Sequence, residues 1–105
     1  MAIDNETIKR TIVNYVDDVK NAMPIDRVFL FGSYAKGNAD SNSDIDICFF
    51  SNSFENQNSL DIIKLLFRMT RKYGEYDIQP TAFSMFDIEN DNPFVKEIIR
   101  TGIEL

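Results

Sequence analysis

At 105 residues the chain has room for one ordinary domain and not for two, and such a domain buries roughly 65% of the surface its unfolded chain exposes. With 44% hydrophobic and 27% charged residues it is neither disordered nor fibrous, and it needs no staple to fold. It has no histidine and a single cysteine, which excludes Ser-His-Asp and Cys-His catalysis, an internal disulfide and His- or Cys-built zinc sites. A formal charge of -6 argues against general DNA or RNA binding. No apolar run approaches the ~20 residues of a membrane span. The first six residues carry no secretion pattern, so the expected location is the cytoplasm, away from membranes.

Ile8, Ile12, Tyr15, Val16 and Val19 recur at three- and four-residue steps, which predicts a helix over residues 4–23. Asp4 or Asn5 can cap its start, and Pro24 marks its end. Arg27 to Phe31 reads as a short strand buried on both faces, closed by Gly32-Ser33; a polar loop follows from Gly37 to Ser43. Residues 44–50 predict a second strand, with Asp44, Asp46 and Cys48 on one face and Ile45, Ile47 and Phe49 on the other. Cys48 reads as a small buried hydrophobe, and residues 51–58 as a polar loop.

Leu60 to Tyr73 predicts a second helix with Ile62, Ile63, Leu66 and Phe67 inward, and Gly74 fits its stop. Lys64, Arg68, Arg71 and Lys72 weight the C-terminal half of that helix, where they complement its dipole or meet a partner. Tyr76 to Phe83 is a third strand, with Asp77, Gln79 and Thr81 on one face and Pro80 placing it at an edge. Pro93 opens a last helix that Gly102 closes. No repeat or linker interrupts this order, so one α/β domain over residues 1–105 is expected.

The chemistry concentrates in Gly32-Ser33-Tyr34-Ala35-Lys36-Gly37 and Ser43-Asp44-Ile45-Asp46. A strand that runs through Gly-Ser into a turn of helix leaves backbone N–H groups pointing outward, where they attract phosphate. Gly32 lets a phosphate approach the main chain, the Ser33 hydroxyl adds a donor, and Gly37 permits the chain to turn back. Asp44 and Asp46 project from one strand face with Cβ atoms roughly 6.5–7 Å apart. Carboxylates so placed repel unless a cation joins them, and Mg²⁺ suits oxygen ligands that also face nucleotide phosphates. Asp77, near the start of a neighbouring strand, would complete an acidic triad. A calcium loop through Asp40, Asn42 and Asp44 fails, because Ile45 stands where glycine is required and Ser51 where a bidentate glutamate is required.

These residues resemble the signature of the DNA polymerase β nucleotidyltransferase superfamily, and most closely its smallest branch, the minimal nucleotidyltransferases (MNT). In that branch Gly-Ser and a later Gly precede Ser-Asp-x-Asp and a third Asp, here Gly32, Ser33, Gly37, Ser43, Asp44, Asp46 and Asp77. The stretch from Asn92 to Ile99 is also similar to MNT chains. The resemblance implies a small mixed sheet flanked by helices, and transfer of a nucleoside monophosphate, AMP first among the candidates, from ATP or another NTP to an acceptor hydroxyl. It implies a nucleotide held by Gly32, Ser33, Lys36, Gly37 and Ser43, and two Mg²⁺ ions held by Asp44, Asp46 and Asp77. Asp77 would also help to deprotonate the acceptor. A partner bearing an HEPN domain, toxin to this antitoxin, is implied as well, and a second copy of the chain is the other source of acceptor contacts. Two other readings share this fold: an antitoxin that masks its partner without turnover, and a module that binds ATP without transferring it. Tyr34 departs from the pattern, standing where many relatives carry Arg and leaving Lys36 as the cation of the turn.

Overall fold

The computed structural model describes residues 5–40, 42–56 and 59–105. The first helix, α1, spans Glu6–Ala22, and Asn5 is its cap: the Asn5 side chain accepts from the Thr7 and Ile8 N–H groups. The other candidate cap, Asp4, lies outside the described residues, as do residues 41, 57 and 58 of the two predicted loops. Strand β1 covers Arg27–Phe31, the one-turn helix α2 Ser33–Lys36, and β2 Ile45–Phe50. A 3₁₀ turn over Asn52–Asn56 leads toward α3, Ser59–Met69, which is followed by β3, Ile78–Phe83. Helices α4 (Met85–Glu89) and α5 (Pro93–Thr101) and the two-residue β4 (Ile103–Glu104) complete the order.

The strands form one mixed sheet in the order β3-β2-β1-β4. β1 runs antiparallel to both β2 and β4, while β2 and β3 are parallel. A parallel pair needs a crossover, and α3 supplies it. β3 is an edge strand, which accommodates the missing N–H of Pro80.

Both sheet faces are covered. Val28, Leu30, Ile45, Ile47 and Phe49 pack with the buried faces of α1 and α3. Phe29, Cys48 and Phe50 pack with Val95 and Ile98 of α5 on the other side. The predicted alternation of β2 therefore holds, and Asp46, in phase with Cys48, belongs to the α5 face. Among the described residues no helix is long and apolar enough to cross a membrane.

The second predicted helix differs from expectation in three ways. Its α-helical part ends at Met69, and Thr70–Tyr73 tightens into a 3₁₀ turn. There the Thr70 hydroxyl donates to the Phe67 carbonyl at 2.7 Å, competing with the regular ladder. Gly74 has φ -64, so no left-handed glycine stops the helix. Phe67, predicted inward, is 39% exposed, because it lies about 100° round the helix from buried Leu66.

Tyr15 ties α1 to α3. Its buried hydroxyl donates to the Leu66 carbonyl at 2.9 Å, and its ring meets Phe49 edge-on at 5.8 Å. Burial also pushes the phenol well above its ordinary pKa. Tyr15→Phe keeps the ring and removes the hydroxyl's bond to the Leu66 carbonyl, which links α1 to α3. It is expected to cost about 1–2 kcal/mol in urea unfolding, and an unchanged midpoint would remove this bond from the account of stability.

Candidate active site

Gly32 turns the end of β1 into α2. Its φ 72 and ψ -150 lie in a region essentially reserved for glycine, and its carbonyl accepts from the Lys36 N–H at 3.1 Å. The register pairs Phe31 with Asp46, which brings the Asp46 side chain against the Gly32 Cα. A Cβ on Gly32 would collide with the Asp46 carboxylate and stand 3.2 Å from its Cγ. Gly37 closes the turn in the left-handed region, φ 77 and ψ 15, with open space where a Cβ would be. Here the demand is conformational only.

Ser33 is the first residue of α2; Gly32 holds the cap position, and no side chain caps this helix. Lys36 is exposed at the end of the same turn. Tyr34 packs against the α1–α3 side of the core, and burial, then the charges of Asp40 and Tyr76, raise its phenol pKa. Ser43 is engaged with its own loop: its hydroxyl accepts from the Asp40 N–H at 2.9 Å and donates to the Asp40 carboxylate at 3.3 Å. These bonds stiffen the approach to Asp44.

The three aspartates come from two strands. Asp44 immediately precedes β2 and Asp77 immediately precedes β3; the Ile45 N–H donates to the Asp77 carbonyl at 2.8 Å and locks the two strand starts together. The Asp44 carboxyl pKa is raised, first by a hydrogen bond with the Asp77 carboxyl, then by the charge of Asp77 and by burial. Asp46 is also raised, by burial first and then by the charges of Asp44 and Asp77. Gln79, in phase with Asp77 along the strand, donates its amide to the Asp77 carboxylate.

Asp44 and Asp77 thus meet directly, while Asp46 senses both from the side nearer Gly32. Among the described residues no three such groups stand as a finished metal cage. Nor does any of the three aspartates form an ion pair with a lysine or arginine there. The donor set is all hard oxygen and its negative charge has no ion-pair partner among the described residues, which fits a divalent cation of the magnesium type.

Two neighbours lay beyond the sequence reading. The Phe31 ring, beside Gly32, is met edge-on by half-exposed Phe94 of α5 at 6.0 Å, a contact no local pattern announces. The Gln79 bond follows from the strand alternation that puts Asp77 and Gln79 on one face. A groove of ≈ 800 Å³, lined by Phe54, Phe83 and Phe86 among others, lies elsewhere. It opens at the C-terminal ends of β2 and β3, roughly 17 Å along the strands from the aspartates. None of the three aspartates lines that groove.

The family model described as the nucleotidyltransferase domain matches residues 11–101, a span that includes Gly32, Ser33 and all three aspartates. The chain is also similar to a protein from Sulfolobus solfataricus whose crystal structure is provisionally described as that of a nucleotidyltransferase. That match has a TM-score of 0.64 and 20% sequence identity, covering 99% of this chain and 89% of the other. At that identity the likeness concerns the fold alone. None of the curated proteins matches the chain. With the family model spanning nearly its whole length, the chain belongs to the nucleotidyltransferase domain family, within the polymerase β-like superfamily that includes the minimal nucleotidyltransferases.

Proposed function

We propose that this nucleotidyltransferase moves AMP from ATP to a hydroxyl of a protein partner, as the antitoxin of an MNT/HEPN pair. The observation that carries the catalytic part is the carboxylate group at the starts of β2 and β3, in which Asp44 and Asp46 have raised pKa values and none has an ion-pair partner among the described residues, beside the glycine turn at Gly32. The AMP donor, the protein acceptor and the HEPN partner rest on the resemblance of the motif to MNT chains.

In this reading Asp44, Asp46 and Asp77 hold magnesium ions, which when bound neutralise charge on the triphosphate and on the attacking oxygen. Main-chain N–H groups at the start of α2 and the Ser33 hydroxyl bind phosphate oxygens, and Lys36 adds positive charge. Gly32 keeps the main chain low enough for both the phosphates and the Asp46 carboxylate. Asp77, oriented by Gln79, receives the acceptor proton as the acceptor oxygen bonds to the α-phosphorus; the bond to the bridging oxygen breaks and pyrophosphate leaves. Ser43 acts by stiffening the loop before Asp44.

The test is incubation with Mg²⁺, α-labelled ATP and an HEPN-domain partner. Label is expected on the partner and should vanish with Asp44→Ala and Asp46→Ala. Full neutralisation of the partner by both variants would replace transfer with masking as the mode of action.

A further inference from the structure

The outer face of α3 combines features that the transfer reaction does not use. Lys64 and Arg68 of α3 and Arg71 of the 3₁₀ turn that continues it follow one another at four- and three-residue steps, and exposed Phe67 lies among them. Together with Ile63 they line a shallow groove of ≈ 360 Å³. Among the described residues none of these three cations forms an ion pair, whereas neighbouring Lys72 is held by Asp18 at 3.2 Å. Complementing the helix dipole accounts for Arg68 and Arg71 in the last turns. It accounts neither for Lys64, higher on the helix, nor for an aromatic ring left in water.

We propose that this stripe docks a short acidic segment of the partner protein that also carries apolar side chains. The proposal rests on the reading that the acceptor is a protein, and it assigns where that protein is held. Charge complementarity selects the occupant: the stripe is positive on a chain of net charge -6. From Lys64 to Arg71 it measures roughly 11 Å, room for about three extended residues. Exposed Asp61 and Glu75 bracket it in sequence. A nucleic-acid strand, with a phosphate every few ångströms, would run off the cations onto those carboxylates, while a short acidic peptide would not. Phe67 and Ile63 supply the apolar contact that such a peptide can use and a phosphate backbone cannot.

The position suits a docking site separate from the chemistry. α3 covers the sheet face opposite the one that carries Asp46. The stripe nevertheless ends close to the reaction: Asp77 is six residues beyond Arg71, at most ~20 Å along a fully extended chain. A partner gripped on α3 can therefore reach over the sheet edge to the aspartates.

The test uses the full chain without nucleotide or metal, titrated into a fluorescein-labelled peptide of alternating glutamate and leucine. Saturable binding that weakens with added salt is expected. Lys64→Glu, Arg68→Glu and Arg71→Glu combined should weaken it roughly tenfold or more, and the corresponding glutamine triple variant by less. Lys9→Glu with Arg10→Glu, on α1, should leave it unchanged. No binding by the parent chain, equal binding by the glutamate triple variant, or displacement of the peptide by a single-stranded oligonucleotide of equal charge would overturn the proposal. Because no transfer is read, failure here leaves the labelling experiment standing, and failure there leaves this one standing.

Discussion

Asp46→Asn is expected to lower the rate of nucleotidyl transfer on the order of 10³-fold while raising the stability of the magnesium-free protein at neutral pH. The first effect follows from removing one charge from the acidic group proposed to hold magnesium. The second follows from linkage. The Asp46 carboxyl has a folded-state pKa above its ordinary 3.8, because burial and the charges of Asp44 and Asp77 disfavour ionisation. Between 3.8 and that raised value the folded chain binds more protons than the unfolded one, so stability falls as pH rises. Above the window the penalty is fully present; below it, the penalty is gone. Asparagine cannot ionise and so escapes it. Thermal melts across pH should therefore show the variant gaining on the parent as pH climbs out of the acid range. Magnesium should reverse the order, since a cation bound to the folded state alone at a hundredfold excess over Kd adds about 2.7 kcal/mol to the parent. A variant that melts below the parent at neutral pH, or transfers at the parent's rate, contradicts this account of the site.

Gly32→Ala is the second large effect, and it strikes stability and activity together. The backbone conformation alone should cost roughly 1–3 kcal/mol for any residue with a Cβ. The new methyl group must also push the Asp46 carboxylate aside, because the two occupy the same space. Activity should fall nearly as far as in Asp46→Asn. The two contributions separate in a double-mutant cycle. In an Asp46→Ala background the collision is gone, so Gly32→Ala should destabilise less than it does in the parent, leaving only the conformational cost. Strict additivity would mean that Asp46 yields freely, and the steric coupling of turn and carboxylate would have to be abandoned.

Where the sequence was readable, a local rule and the tertiary environment agreed. β1 matched its expected bounds, and β2 its alternation, because helices cover both faces of the sheet and so bury the whole apolar run. Gly32 and Gly37 were legible because each occupies a backbone region that other residues avoid. Most of the candidate site was legible for a similar reason: Gly32 to Asp46 lies on the single connection between β1 and β2. Asp77 was reached through strand alternation and family likeness, since nothing in its own neighbourhood fixes the β2–β3 register. What escaped had no periodic signal. α4 is only five residues long, though its Ser84–Asp87 capping box marks its start, and β4 is two residues completed by pairing with β1. The bonds between the Ser43 hydroxyl and Asp40 also lay outside what composition shows.

The connectivity of the acidic group bears on how it comes together during folding. The Gly32 turn and the first two aspartates sit within one antiparallel hairpin, a local contact that chains form early. Asp77 arrives only when α3 has crossed over and β3 has docked in parallel, a long-range step. A refolding chain should thus acquire its protected hairpin amides before it acquires magnesium affinity. With the proposed triad as the ion site, ion uptake would report completion of the last long-range strand pairing.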